Sequence, residues 1–260
     1  MRKRLAALTL ALSALLSACG GAGTPERRDP VPANTYAAED FAAVDGFLTY
    51  DGDAPSYVGV DVSSHQGDID WARVAAAGVE FAMIRVGGRF TRSGDLYDDS
   101  YFTRNIEGAL AAGLRVGVYF FSQVINEAEG LEEAEWVLER IAGYDLTMPV
   151  ALDWEYLDGG EARTTGVEPA EITAGVAAFC ETVEAAGYRA MFYCNRYCGY
   201  IKLDLRALTE YEAWFAQYDV CPAFRYGFTM WQYTSQGQVD GIVRSVVFKG
   251  VHYEMEVEQA

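Results

Sequence analysis

From residue 57 onward, short apolar runs alternate with stretches of helical period. The runs cover 57–62, 79–86, 114–121, 149–153, 188–194, 213–218 and 228–233. Each is short, bounded by polar or turn-forming residues, and rich in β-branched and aromatic side chains, which predicts buried strands. Between them, 126–141 is an acidic amphipathic stretch with Leu131, Ala134, Val137, Leu138 and Ile141 on its expected inner face. The tripeptide Ala-Ala-Gly recurs at Ala76-Ala77-Gly78, Ala111-Ala112-Gly113 and Ala185-Ala186-Gly187, each time just before a strand-like run. Alanine extends a helix, and glycine supplies the left-handed residue that stops it. Helices that feed straight into strands are the mark of repeated βα units. About seven or eight strands favour a single α/β domain built as a TIM-like β/α barrel over an open sheet. Functional groups are then expected at the C-terminal ends of the strands.

Acids gather at those ends. The apolar run 148–152 ends in Asp153-Trp154-Glu155. Residues two apart on a strand share a face, about 6.6 Å apart along the chain, so both carboxylates emerge together. Singly, such a pair is more often a solvated edge or a helix-capping turn. Three more predicted strand ends carry polar groups: Asp61-Val62-Ser63-Ser64-His65-Gln66, Tyr119-Phe120-Phe121-Ser122, and Trp231-Gln232-Tyr233 leading to Val239-Asp240-Gly241-Ile242. Four such segments at matching ends of one barrel are poorly explained as turns.

The first 18 residues do not belong to the fold. Arg2-Lys3-Arg4 is a charged start, residues 5–16 are apolar, and Leu16-Ser17-Ala18-Cys19 has the form of a bacterial lipoprotein cleavage site. The expected mature chain begins at a lipid-modified Cys19, is exported and is held at a membrane by that lipid. Residues 19–55, rich in Gly, Pro, Ala and acids, are expected to form a flexible tether, leaving 56–260 as the barrel domain. The leader carries three of the 20 basic residues and no acid, so the mature chain sets 17 basic against 38 acidic residues. That balance excludes nucleic acid as a partner. Cys180, Cys194, Cys198 and Cys221 remain; export permits disulfides in any of three pairings, and their spacing fits no zinc or thioredoxin motif. His65 and His252 are too few to suggest a Ser–His or Cys–His triad. No metal or cofactor is expected.

The segments Asp61-Val62-Ser63-Ser64-His65-Gln66, Asp153-Trp154-Glu155, Trp214-Phe215-Ala216-Gln217-Tyr218 and Trp231-Gln232-Tyr233, with Val239-Asp240-Gly241-Ile242, resemble glycoside hydrolase family 25 in order and spacing. The resemblance implies a distorted β/α barrel with an acidic groove. It also implies cleavage of the β-1,4 bond between N-acetylmuramic acid and N-acetylglucosamine in peptidoglycan glycan strands. Carried over by motif, Glu155 corresponds to the proton donor, Asp153 to its acidic neighbour, and Asp61 and Asp240 to two further acids of the cleft. Tyr119, Tyr193, Trp214 and Gln232 correspond to groove-lining positions. The chain is expected to act as a monomer.

The physics of the reaction agrees with those roles. A glycosidic oxygen must be protonated by an acid that keeps its proton near neutrality, and crowding with other carboxylates raises a glutamate's pKa. The remaining carboxylates favour an oxocarbenium-like transition state. A carboxylate nucleophile, an inverting base and the substrate's own acetamido group all remain open as routes. Two departures stand out. Phe120 occupies a position where many family members have His, and the tail beyond Val243 lacks the usual Asp and Asn, with 246–248 and 252–257 reading as a hairpin. The competing readings are a chitinase-like enzyme acting on N-acetylglucosamine polymers and an inactive barrel that binds wall glycans.

Overall fold

The computed structural model describes residues 30–52, 54–157, 162–218, 221–244 and 248–253. Cys19 and the leader before it lie outside the described residues. The first two strands, β1 (Phe41–Val44) and β2 (Phe47–Tyr50), form a hairpin. Its turn is Asp45-Gly46, both with positive φ, at 50° and 83°, the geometry of a two-residue turn matched to strand twist. Nine further strands follow: β3 (Ser56–Val62), β4 (Phe81–Arg89), β5 (Leu96–Asp98), β6 (Arg115–Ser122), β7 (Val150–Trp154), β8 (Ala190–Asn195), β9 (Glu212–Ala216), β10 (Met230–Gln232) and β11 (Phe248–Tyr253). Helices α1 (Trp71–Ala76), α2 (Phe102–Ala111), α3 (Glu127–Ile141) and α4 (Pro169–Ala185) connect the early strands.

Strands β3, β4, β6, β7, β8, β9 and β10 run parallel in that order, and β11 joins β10 to β3 antiparallel, so the sheet closes into a ring. This is the TIM-like barrel, distorted by its antiparallel last strand and by the absence of α-helices between β8 and β9 and between β9 and β10 among the described residues. The three Ala-Ala-Gly junctions end α1, α2 and α4, with Gly78, Gly113 and Gly187 at φ 95°, 77° and 89°. The tail differs from the hairpin expected there: 248–253 is one continuous strand paired on both sides. Two flanking strands with open hydrogen-bonding edges capture it more fully than a local turn could.

Alternation along the strands sorts side chains into two layers. On β7, Val150, Leu152 and Trp154 face the helices, while Ala151 belongs to the barrel interior with Phe81, Met83, Tyr119, Met191, Tyr193, Trp214 and Met230. Gly117 keeps that interior narrow; a Cβ there would meet Met83 Sδ at 2.7 Å and the Pro149 carbonyl oxygen at 2.6 Å. Outside, α3 crosses α4 closely enough that a Cβ on Gly130 would strike the Gly175 backbone at 2.0 Å. Ala134, Val137 and Ile141 are buried as expected, but at the start of α3 this contact puts Gly130 and Glu133 inside and leaves Leu131 exposed. Glu133 accepts hydrogen bonds from Ser122 Oγ and Arg89 Nε, each at 2.6 Å.

The expected tether does not extend to residue 55. Residues 30–50 pack on the barrel wall where helices are missing. Asn34 Nδ2 donates to the Phe224 carbonyl at 2.9 Å, and Tyr36 Oη donates to the Phe228 carbonyl at 2.8 Å. The Phe41 ring meets the fully buried Trp231 edge-on at 5.2 Å, and Tyr36 meets Phe228 at 4.9 Å. Aromatic residues Tyr36 and Phe41 thus cover the outer face of β10 and the stretch leading into it. Phe41→Ala is expected to cost about 2–4 kcal/mol, the range for truncating a large packed apolar side chain, as read by urea unfolding. A loss under about 0.5 kcal/mol, the scale of ordinary surface changes, would show that the segment is not part of the barrel.

Candidate active site

The inner positions at the C-terminal ends of the strands form one layer. Asp61 comes from β3, Arg85 from β4, Tyr119 from β6, Asp153 from β7, Tyr193 from β8, Trp214 from β9 and Gln232 from β10. Register explains the gathering: Arg85 lies opposite Tyr119, Asp153 opposite Tyr193, and Tyr193 opposite Trp214. Glu155 is the first residue past the end of β7. It is half-buried, while Asp61 and Asp153 are only 6% and 8% exposed.

Three carboxyls in so little water cannot all ionise freely. Burial raises the pKa of Asp153 well above the usual carboxylate range, reinforced by the charges of Glu155 and Asp61 and opposed by Arg85. Asp61 is raised by the same burial; a hydrogen bond from Gln232 opposes the shift and the charge of Glu155 adds to it. Glu155 is raised by burial. Gln232 is itself fixed: Tyr193 Oη donates to its Oε1 at 3.0 Å and Tyr218 Oη at 3.3 Å. Its Nε2 is thereby aimed at Asp61 Oδ2, 3.4 Å away.

The aromatic lining is rigid. Trp214 is held edge-on between Tyr119 at 5.9 Å and Tyr193 at 5.4 Å. Two buried polar atoms of this layer, Asp153 Oδ1 and Trp214 Nε1, have no hydrogen-bond partner among the described residues. An acceptor and a donor left unpaired in a water-poor site are groups that a ligand can satisfy.

The position of Glu155 is set from behind. Gln123 Nε2 donates to the Glu155 carbonyl at 3.0 Å, and Trp154 Nε1 to the Val124 carbonyl at 3.1 Å. Arg163 holds the same loop through the Gln123 carbonyl at 2.7 Å and pairs with Glu129.

Seven of the eight expected site residues are brought together. The exception is Asp240. Its carboxylate is 59% exposed and paired with Arg73, itself 61% exposed, at the start of α1. Its charge does not figure among those acting on Asp61, Asp153 or Glu155. The turn at Gly241, φ 96°, packs against α1 instead of the barrel mouth, with the Asp70 N–H donating to the Gly241 carbonyl at 2.9 Å. Arg85 and Gln123 did not emerge from the strand-end motifs. Arg85 donates to Asp99 Oδ2 at 2.7 Å and to Ser64 Oγ at 3.0 Å. Its signal was a lone charge at an inward position of an apolar run. Cys180, Cys194, Cys198 and Cys221 are thiols, the first three buried.

Known proteins resemble this chain in sequence and fold. The profile described as Glycosyl hydrolases family 25 matches residues 60–242. The autolytic lysozyme of Clostridium acetobutylicum is 28% identical over 186 residues, 71% of this chain and 52% of that protein. Lysozyme M1 of Streptomyces globisporus is 28% identical over 203 residues, 73% of this chain and 66% of that protein. This chain therefore spans about half the length of the first relative and about two thirds of the second. The modular autolysin LytC from Streptococcus pneumoniae shares the fold, with a TM-score of 0.67 at 24% identity, over 82% of this chain and 52% of that one. With a family profile covering most of the barrel and the same strand-end acids inside it, the chain belongs to glycosyl hydrolase family 25.

Proposed function

We propose that this protein is a muramidase, cleaving the β-1,4 bond between N-acetylmuramic acid and N-acetylglucosamine in peptidoglycan. The observation that carries the reading is the grouping of Asp61, Asp153 and Glu155 at one end of the barrel, with Asp153 Oδ1 buried and unpaired among the described residues. Glu155, the least enclosed of the three, is the proton donor. Its raised pKa keeps a proton available for the leaving oxygen. Asp153 Oδ1 accepts the N–H of the substrate's 2-acetamido group. That contact turns the acetamido oxygen toward the anomeric carbon, favouring the substrate's own nucleophile over a carboxylate. Asp61, steadied by Gln232, turns an electron-rich carboxyl oxygen toward the developing oxocarbenium ion. The names of the two lysozyme relatives point the same way.

Export and lipid attachment at Cys19 complete the reading, with the monomeric enzyme working on the extracytoplasmic side of its membrane. A net charge of −18 for the whole chain gives no attraction to anionic walls. Tethering would instead raise the local concentration of enzyme near its substrate.

Digestion of purified peptidoglycan should create new reducing ends on N-acetylmuramic acid. Reducing ends on N-acetylglucosamine, or intact strands, would reject the assignment in favour of a chitinase-like enzyme or a binding protein. Glu155→Gln should abolish turnover while retaining glycan binding; full activity in that variant would remove Glu155 from the donor role.

The raised carboxyl pKa values also set a pH dependence. The unfolded chain ionises these groups near pH 4, whereas the folded protein holds their protons to higher pH. Their contribution to stability is therefore complete below the unfolded values and is lost as pH rises through the folded ones. Thermal unfolding should occur at higher temperature at pH 5 than at pH 8, and Asp153→Asn should narrow that gap while reducing activity. An unchanged gap in Asp153→Asn would show that its carboxyl is not held neutral.

Cys19→Ala should lower activity on intact cells far more than on soluble fragments. An equal loss on both substrates would argue against tethering.

A further inference from the structure

The two sugars of peptidoglycan differ by one substituent, a lactyl ether on O3 of N-acetylmuramic acid. Its carboxyl is either free or joined to a peptide that bears carboxylates of its own. An enzyme that prefers this sugar gains by recognising negative charge, yet the acids around Glu155 oppose an anionic ligand. A cation beside the cleft, not already neutralised by a protein carboxylate, would offset them.

Arg85 does not meet that description, because it is committed to Asp99 and Ser64. Lys202 does. It ends the single π-helical turn Cys198–Lys202 that follows β8. Its Nζ lies 4.6 Å from the centre of the Tyr156 ring, and Tyr156 is the residue after Glu155. Among the described residues Lys202 makes no ion pair, in a chain with 38 acids against 20 basic residues. The Tyr156 ring also meets Tyr197 at 5.3 Å, and Tyr197 is 46% exposed. An ammonium over a ring face is held in place by the ring's negative quadrupole without losing its charge. Tyr197 then offers an open ring for the apolar face of a sugar.

We propose that Tyr156, Tyr197 and Lys202 form a specificity subsite in which Lys202 pairs with a carboxylate carried by the substrate's N-acetylmuramic acid. This rests on the muramidase reading and adds the group that separates muramic acid from its neighbour. Tyr156 props the ammonium, Tyr197 carries the sugar, and Lys202 reads the charge.

The test compares glycan strands stripped of peptide, whose lactyl carboxylates are free, with the same strands after those carboxylates are converted to neutral amides. The wild-type protein should prefer the charged strands by roughly two- to fivefold in KM, the scale of one partly exposed ion pair. Lys202→Met, which keeps the apolar stem over Tyr156, should bring the ratio close to one, and Lys202→Arg should restore it. A wild-type ratio in folded Lys202→Met, or an equal loss on both substrates, would overturn the proposal. Binding of both strands by Glu155→Gln, with and without Lys202→Met, reads the same ratio without turnover. Failure of the wild-type protein to cut either strand would therefore sink the muramidase reading alone, while the binding ratio still decides the role of Lys202.

Discussion

Carboxyl groups confined together away from water compete for charge, and the rest of this structure is organised around keeping three of them in that competition. Asp61 and Asp153 are nearly enclosed, and each feels the charge of Glu155. Among the described residues, none neutralises them outright. Arg85 stands close enough to moderate Asp153 but is itself tied to Asp99. Gln232 donates a single amide hydrogen bond to Asp61. Replacing these acids with apolar residues of similar size would relieve unfavourable burial. Their presence is a local conflict accepted for chemistry, a pattern proteins show at functional sites.

A conflict of that kind needs a stiff frame, and the frame here is made in an irregular way. The first half of the barrel is braced by α1 to α4, with α3 and α4 locked at Gly130 and Gly175. The second half lacks α-helical braces among the described residues. The segment before the barrel supplies the cover, laying Tyr36 and Phe41 against Phe228 and Trp231. The Arg89–Glu133–Ser122 and Arg163–Glu129 contacts brace the loop that carries Gln123, and through it the backbone of Glu155.

Much of this was legible in the chain, for identifiable reasons. Each apolar run produced a strand within about three residues, because buried parallel strands leave a strong apolar signal. The helix stops at Gly78, Gly113 and Gly187 followed from backbone sterics alone. Asp61, Asp153 and Glu155 were found because strand alternation is a local rule. Asp240 was misplaced because it sits in a turn, where direction depends on what the loop packs against, here α1 and Arg73. The packing of 30–50 on the barrel was missed although Val44-Asp45-Gly46-Phe47 carries a hairpin signature; the Gly, Pro and acidic content around it outweighed that signal. Leu131 was assigned inward because helical periodicity cannot register a glycine contact with a distant helix.

The ring of strands is sealed by the last one. β11 pairs with β10 on one side and β3 on the other, joining chain segments nearly 200 residues apart. Contacts of such long sequence separation form late and slowly, since chain entropy opposes them until the intervening elements are in place. A partly emerged chain can assemble βα units, yet it has no complete wall and no finished mouth for its acids. Assembly of the site is thereby coupled to delivery of the final strand, and an incomplete chain exposes two open strand edges that other chains can join.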